Sequence, residues 1–239
     1  MRIEIAEVPV EIRCEFEENR RFLREYRSDK EPVLTIEPSE EDILAMQREL
    51  DAMTGCHTEY SALFLENNTI HALLAEKLLD FDVLLFHGSA LCMDGKAYLF
   101  AAKSGTGKST HARLWREEFG DRVWMINDDK PLLRVQKEEI MVYGSPWCGK
   151  HHLGRNACAP LQAVAFLERD QVNHIEPLER REVFRLLMTN AYKPSKAASL
   201  QKVMNLETVM LERTAFYRLG CTMESEAART AYRCMSRDS

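Results

Sequence analysis

The sequence lacks any apolar run of the length that a membrane-spanning helix needs, about 20 residues. Its first residues, MRIEIAEVPVEIRCEFEE, alternate apolar residues with acids and do not contain the basic and apolar segments of a signal peptide. None of its seven cysteines stands in a CxxC pair, and an odd, scattered set of this kind does not indicate a disulfide framework. We therefore expect a cytoplasmic protein with reduced thiols and no membrane partner.

An excess of basic residues is also missing. The chain carries 32 Lys and Arg against 38 Asp and Glu, a net charge of −6, which argues against nucleic acid as a partner. Internal repeats, low-complexity tracts and long linkers are absent from the sequence. With 239 residues and a hydrophobic fraction of 45%, the chain fits one large domain, or one domain with a smaller N-terminal lobe. We expect residues 1–80 to form an N-terminal lobe packed onto a domain of residues 81–239.

A block from Leu84 to Asp129 carries the clearest motif. Its centre is an apolar run at Ala97–Ala101, then SGTGKST, then a helix-like segment from His111 to Phe119. A glycine loop between a strand and a helix turns backbone N–H groups toward an anion, and the helix offers its positive end. The residues that we expect to bind phosphate are Ser104, Gly105, Thr106, Gly107, Lys108, Ser109 and Thr110.

Two residues of this loop have specific expected roles. Lys108 would neutralise the outer phosphates of a nucleotide, and the hydroxyl of Ser109 would hold a magnesium ion. One position departs from the usual motif, because Ala102 stands where the first glycine is normally found. Alanine adopts positive φ angles poorly, so we expect the first corner of the loop to differ in detail.

A pair of acids follows the next apolar strand. Asp128 and Asp129 come directly after the strand-like run at Val123–Ile126 and the intervening Asn127. The distance from Lys108 corresponds to one helix plus one strand, which predicts that the carboxylate strand neighbours the loop strand. Beside a divalent ion, two adjacent carboxylates can divide the roles of metal ligand and base. A turn or a helix cap is the structural alternative.

The segments FHGSALCMDGKAYLFAAKSGTGKST and VWMINDD resemble the HPr kinase/phosphorylase and phosphoenolpyruvate carboxykinase superfamily. The resemblance covers Phe81 to Lys150. It implies an α/β fold with a P-loop in a mixed sheet of the carboxykinase C-terminal or HPr kinase type, with N-terminal strands and helices packed onto it. It also implies ATP and Mg²⁺ as ligands.

The resemblance assigns catalytic roles to Lys108, His87 and Asp128. Asp128 matches the catalytic base, and Asp129 together with Ser109 matches the metal ligands. His87 matches a histidine that contacts the metal or the transferred phosphate, with a structural histidine as the alternative.

The chain departs from the family at several points. It is half the length of a carboxykinase, and no segment matches the one that receives the protein substrate of an HPr kinase. Near Tyr143 and Gly144 an expected acidic ligand is missing. Lys150 and Arg155 lie in the basic loop that follows, and we expect them to contact phosphate or an acidic substrate, unless they are ordinary surface charges.

We therefore read the chain as an ATP-dependent kinase that transfers the γ-phosphoryl group to a serine-type hydroxyl of a peptide, protein or small molecule. A non-catalytic nucleotide-binding module and a compact carboxykinase-like lyase are the alternatives. The sequence does not determine whether the chain forms a homo-oligomer.

The spacing of apolar residues predicts the surrounding elements. A helix is expected after Ser39, with Asp42 completing a reduced capping box, and Tyr60–Leu65 is expected to be a strand. Leu132–Val135 and Ile140–Tyr143 are expected to form a hairpin.

Overall fold

A computed structural model describes residues 1–103 and 105–237 of the chain. The chain divides into two compact units, Met1–Phe81 and Asp82–Ser239. None of the helices in the described ranges combines the length and the apolar character needed to cross a membrane. The expectation of an N-terminal lobe packed onto a kinase-like domain remains a prediction.

The first unit holds a three-stranded sheet and three α-helices. β1 pairs with β2 in antiparallel fashion, and β2 pairs with β3 in parallel. The alternation in the sequence corresponds to alternating burial, since Ile3, Ile5, Val8, Val10 and Ile12 are all at most 1% exposed. The elements of this unit are β1 (Arg2–Ile5), β2 (Val8–Ile12), α1 (Glu17–Phe22), β3 (Leu34–Ile36), α2 (Glu40–Thr54) and α3 (Ala62–Leu78).

Serine side chains begin both long helices of this unit. At α2 the Ser39 hydroxyl accepts from the Asp42 amide and the Asp42 carboxylate accepts from the Ser39 amide, which confirms the capping box. At α3 the Ser61 side chain accepts from the Phe64 amide. The strand predicted at Tyr60–Leu65 is wrong, because the Ser61 cap starts a helix whose apolar spacing continues to Leu78.

The second unit is an α/β structure built on a mixed sheet, which has nine strands among the described residues. The predicted hairpin of β8 and β9 is confirmed at the expected residues. The elements are β4 (Val83–Leu85), β5 (Ser89–Met93), β6 (Lys96–Ala101), α4 (Lys108–Phe119), β7 (Val123–Asn127), β8 (Leu132–Val135), β9 (Ile140–Tyr143), β10 (Cys158–Arg169), β11 (His174–Pro177), α5 (Arg180–Asn190), α6 (Ala197–Arg213), β12 (Ala215–Cys221) and α7 (Glu226–Met235).

The order of the strands brings the chemically interesting residues to one edge of the sheet. Neighbouring strands follow the order β4-β8-β9-β10-β6-β5-β7, and β12 pairs with β10 and with β11. β5 runs antiparallel to both β6 and β7, so β6 and β7 point the same way, and β10 and β12 run parallel to β6. The carboxyl ends of β6, β7, β10 and β12 and the start of β5 therefore share one edge, called the loop edge below.

The prediction that the carboxylate strand neighbours the loop strand is wrong, since β5 lies between β6 and β7. β5 and β6 form a hairpin, and β7 pairs with the other side of β5. The number of residues between two strands does not determine on which side of the hairpin the later strand pairs.

An aromatic cluster seats helix α4 on the sheet. Trp115 is fully buried, and its ring lies 5.1–5.9 Å from the rings of Tyr98, Phe100, Phe119 and Tyr232. Aromatic pairs at these separations add to the stabilisation gained from burial alone. The cluster fixes where α4 begins, and hence where the loop before it opens.

Candidate functional site

The glycine loop joins β6 to α4 at the loop edge. Gly105 and Gly107 have φ angles of +76° and +125°, and a Cβ added to either would meet no atom within 4 Å. The loop thus turns in a region of backbone space that favours glycine and leaves open space beside it. Ala102 is not among the residues with positive φ, so alanine causes no strain at the first corner. Ser104 lies outside the described residues.

Helix α4 begins without a side-chain cap among the described residues. Gly107 is its N-cap residue, and the first helical hydrogen bond runs from the His111 amide to the Gly107 carbonyl at 2.8 Å. Ser109 is exposed and Thr110 is partly buried in this first turn. The amides of the turn and the positive end of the helix are therefore available to an anion.

Lys108 reaches back across the loop that precedes it. Its Nζ donates a hydrogen bond of 3.0 Å to the carbonyl oxygen of Ala102. Burial lowers the pKa of Lys108, while the carboxylate of Asp129 acts in the opposite direction. A half-buried ammonium group with one neutral acceptor gains stabilisation when an anion arrives, because the anion favours the charged form.

His87 and Asp129 form a pair at the same edge. The His87 Nε2 lies 3.2 Å from Asp129 Oδ1, and the two side chains are 38% and 33% exposed. Burial raises the pKa of Asp129, but the hydrogen bond from His87 and the positive charges of Lys130 and Lys108 outweigh it, so the net shift is downward. Asp129 is therefore held as a carboxylate at neutral pH.

The backbone around His87 is fixed on both sides. The His87 amide donates to the Asn190 carbonyl at 2.7 Å, and the Gly88 amide donates to the Asp129 carbonyl at 3.0 Å. A Cβ at Gly88 would come within 2.9 Å of the Phe100 carbonyl oxygen. Only glycine allows this close approach to β6, and the approach sets His87 beside Asp129.

Asn127, at the end of β7, organises the two loops that follow. It is fully buried, and its Nδ2 donates to the carbonyl and hydroxyl oxygens of Ser145 and to the Trp147 carbonyl at 3.1–3.3 Å. Its Oδ1 accepts from the amides of Asp129 and Lys130 at 2.8 and 2.6 Å. One amide side chain therefore holds the aspartate turn against the loop that begins at Gly144.

Asp128 is held more tightly than Asp129. It is 9% exposed, and its Oδ1 accepts from the Gly149 amide at 2.8 Å. A Cβ at Gly149 would lie 3.0 Å from Asp128 Oδ2, so this position also depends on glycine. Ser89 donates from its buried hydroxyl to the Asp128 carbonyl at 3.2 Å. The Asp128 carboxylate thus has a fixed orientation.

The structure adds Arg169, a residue to which the sequence assigned no role. It stands at the carboxyl end of β10, and its guanidinium group donates to the carbonyls of Gly105 at 2.5 Å and Thr106 at 3.3 Å. These bonds tie down the outer side of the glycine loop. No local pattern marks Arg169, because more than sixty residues separate it from its partners.

A cavity of about 410 Å³ lies beside the glycine loop, bounded by the loop, by Arg169 and by the residues around Thr222. The buried His111 also lines it. Trp115 donates to His111 Nε2 at 2.9 Å, and His111 Nδ1 has no hydrogen-bond partner among the described residues. Burial lowers the pKa of His111 to about 3, so this imidazole is neutral with its proton on Nδ1.

The two basic residues expected to contact a substrate lie in different surroundings. Lys150 is exposed and directly follows Gly149, the residue that contacts Asp128. The guanidinium carbon of Arg155 lies 5.5 Å from the ring centre of Trp124, near the start of β7, which directs it away from the loop edge. Their roles remain predictions.

Within the described ranges, no three His, Cys, Asp or Glu side chains are placed to hold a metal ion together. The remaining predicted residues are found at the loop edge: His87, Gly105, Thr106, Gly107, Lys108, Ser109, Thr110, Asp128 and Asp129.

No known family model matches the chain, and no curated protein matches it. Among solved structures the chain is similar to the HPr(Ser) kinase/phosphatase from Coxiella burnetii, with 11% identity and a TM-score of 0.28. The similarity covers 54% of this chain and 91% of that protein. A likeness at this TM-score is too weak to indicate a function, which has to be inferred from the residues of the site.

Proposed function

We propose that the chain is an ATP-dependent kinase of the HPr-kinase type, which transfers the γ-phosphoryl group to a serine-type hydroxyl of a peptide, protein or small molecule. One observation carries the proposal. Three features share one edge of the sheet. They are the uncapped start of α4 with its lysine, the His–Asp pair, and a second aspartate, which is buried. Phosphoryl transfer needs these parts: a cationic clamp, a metal-binding carboxylate and a base.

The phosphate groups of ATP would bind the amides of the glycine loop and the start of α4. Lys108 would exchange its bond to Ala102 for a phosphate oxygen, and the anion would offset the effect of burial on its pKa. Arg169 would keep the loop carbonyls turned outward, away from the phosphates. The adjoining cavity of about 410 Å³ suits the nucleoside.

The site has oxygen donors that suit Mg²⁺. The exposed hydroxyl of Ser109 and the carboxylate of Asp129, which the shift in its pKa keeps ionised, would hold the ion. When bound, Mg²⁺ supplies charge neutralisation at the phosphoryl oxygens.

Asp128 would act as the base. The Gly149 amide holds its Oδ1, which leaves Oδ2 to accept the proton of the acceptor hydroxyl. His87 would orient Asp129 and contact the transferred group. Lys150 would attract an acidic or phosphorylated acceptor, and Arg155 would join it only by leaving the ring of Trp124.

The first experiment removes the clamp. Lys108→Ala is expected to weaken triphosphate binding by roughly 100-fold or more, because it deletes the charge that faces the phosphates. Lys96→Ala, at the exposed start of β6, is the matched control and should leave the affinity unchanged. Calorimetric titration with ATP and Mg²⁺ measures both. Unchanged ATP affinity in the Lys108 variant would reject the site.

The second experiment separates binding from transfer. Asp128→Asn keeps an oxygen that can accept from the Gly149 amide but removes the basic carboxylate. We expect ATP affinity within about threefold of the parent and transfer from radiolabelled ATP to serine-containing acceptors reduced by roughly 100-fold or more.

Three results would speak against this proposal. Full transfer by the Asp128 variant would reject the base role. Tight ATP binding without transfer by the parent chain would favour a binding module. Formation of phosphoenolpyruvate from oxaloacetate and ATP would favour a lyase.

A further inference from the structure

A second candidate anion site lies in the first unit, far along the sequence from the glycine loop. Five arginines line a cavity of about 450 Å³: Arg2, Arg20, Arg21, Arg24 and Arg27. We call it the arginine cavity. Glu17 and Asp29 are the acids that line it, so arginines exceed acids by three.

Composition does not explain this concentration of positive charge. The first unit, residues 1–81, contains nine Lys and Arg and nineteen Asp and Glu, a net charge of −10. More than half of its basic residues therefore face one cavity. The net charge of the whole chain, which argued against nucleic acid as a partner, averages over this local surplus.

Three of the five guanidinium groups have no ion-pair partner among the described residues. Arg20 bonds to Glu17 and to the Cys14 carbonyl, and Arg2 bonds to Glu31 at 2.8 Å. Arg21, Arg24 and Arg27 form no such pair in this part of the chain and are exposed. Like charges at this density repel one another, and the repulsion is relieved when an anion binds.

The backbone that carries these arginines is well fixed. Leu23 and Tyr26, interleaved with them, are 1% and 4% exposed. Arg27 forms a bridge to Ile3 of β1, and the Ser28 amide donates to the Arg2 carbonyl at 3.2 Å. The Cα positions of the arginines are therefore set before a ligand arrives, and only side-chain freedom is lost on binding.

A neighbouring cavity gives a useful contrast. It is larger, about 790 Å³, but its charged lining contains both signs, with Arg13 and Arg20 against Glu15, Glu37, Glu40 and Glu66. With two arginines against four glutamates, an anion would meet more repulsion than attraction there. The arginine cavity alone of these two has the charge that a polyanion requires.

We propose that the arginine cavity binds a small molecule with two or more phosphoryl groups. A guanidinium group binds phosphate through two parallel hydrogen bonds, and several of them match several phosphoryl oxygens. A phosphoryl group carries up to about two charges, so two groups balance the surplus of three within a volume that suits a small ligand. Carboxylates would need at least three groups in the same space.

The test uses inorganic tripolyphosphate and the full chain carrying Lys108→Ala, which removes the clamp of the glycine loop. In this background we compare a triple variant of the cavity, with Arg21, Arg24 and Arg27 changed to Gln, with a control triple of equal charge. The control changes Arg13, Arg48 and Lys77 of the same unit to Gln, none of which lines the arginine cavity. Calorimetry at physiological salt measures affinity, and circular dichroism checks the fold.

We expect one tripolyphosphate per chain, a loss of roughly tenfold or more in the cavity triple, and a change within about twofold in the control. Equal losses in the two triples would overturn the proposal, because they would show only general electrostatics. Unchanged affinity in the cavity triple would also overturn it.

A single variant, Arg24→Lys, tests the same cavity in case the triple variant does not fold. Lysine keeps the positive charge but lacks the guanidinium group that can form two parallel hydrogen bonds to a phosphate, so we expect binding to be roughly threefold weaker. No weakening in this variant would contradict bidentate recognition. Hexaglutamate that binds as tightly as tripolyphosphate would overturn the phosphate assignment in favour of an acidic peptide.

Discussion

Among the described residues, the first unit satisfies most of its buried polar side-chain atoms, whereas the second unit leaves several of them without a hydrogen bond. In the first, Ser39 and Ser61 cap the two long helices, and the buried Glu66 accepts three hydrogen bonds. In the second, α4 begins without a capping side chain, and the fully buried Glu207 of α6 has no hydrogen-bond partner among the described residues.

This difference between the units distinguishes polar groups that stabilise the fold from polar groups that are free to bind a ligand. A capped helix start has used its amides, while an uncapped one at a glycine loop can give them to an anion. Unsatisfied groups cost stability, and most of those among the described residues lie in the second unit, which also holds the candidate site. The arginine cavity is an exception in the first unit, because its exposed guanidinium groups are open to a ligand.

The largest expected loss of stability follows from replacing Glu66. Its Oε1 accepts from the Glu15 amide at 2.5 Å, and its Oε2 accepts from the Phe16 amide and from Asn19 Nδ2 at 3.3 and 2.6 Å. Glu66→Leu leaves three donors without an acceptor and should lower the free energy of unfolding by roughly 3 kcal/mol. Hydrogen exchange of residues 14–20 and urea unfolding measure it. A loss below about 0.5 kcal/mol would remove the contrast between the units.

Glu207 should behave in the opposite way. Burial raises the pKa of Glu207 to about 8 from its usual value of 4.5. Below pH 4.5 the folded and unfolded states are both protonated, but between pH 4.5 and 8 the unfolded state ionises first and the protein loses stability. Glu207→Met removes this loss, so its advantage should grow by roughly 3 kcal/mol from pH 5 to pH 8.

Tryptophan fluorescence is a suitable readout for this variant. All three tryptophans, Trp115, Trp124 and Trp147, lie in the second unit with Glu207. Urea unfolding curves at pH 5 and pH 8 therefore follow the unit that carries the change. An advantage that does not change with pH would show that Glu207 is ionised in the folded state.

The smallest effect comes from two glycines with positive φ. Gly55 ends α2 with φ of +73°, and Gly107 begins α4 with φ of +125°. Alanine at either position is strained and should cost about 1 kcal/mol of stability. Only Gly107→Ala should also weaken triphosphate binding, by roughly tenfold, since the strain alters the loop. Equal affinities of the two variants for ATP would remove Gly107 from the site.

Local patterns were enough to predict much of the fold. The alternation in β1 and β2, the capping box at Ser39 and the hairpin of β8 and β9 depend on residues only a few positions apart. The strand expected at Tyr60–Leu65 failed because a short apolar run fits a helix as well as a strand. The hydrogen bond from the Phe64 amide to the Ser61 side chain favours the helix over the strand.

The candidate site could be predicted in its parts and not in its arrangement. The glycine loop and the pair Asp128 and Asp129 are contiguous, so the sequence shows them. The contacts that fix them come from Asn127, Gly149 and Arg169, through bonds that span up to 64 residues. No periodicity or motif of a single sequence records such pairings.

The sequence alone determined that a glycine loop with Lys108 stands between a strand and a helix, because strand, turn and helix propensities act over neighbouring residues. Only the tertiary structure decided that β5 separates the loop strand from the aspartate strand, that Asp129 pairs with His87 while Asp128 is held by Gly149, and that five arginines share one cavity. These features arise when distant segments pack together, and packing depends on the whole fold.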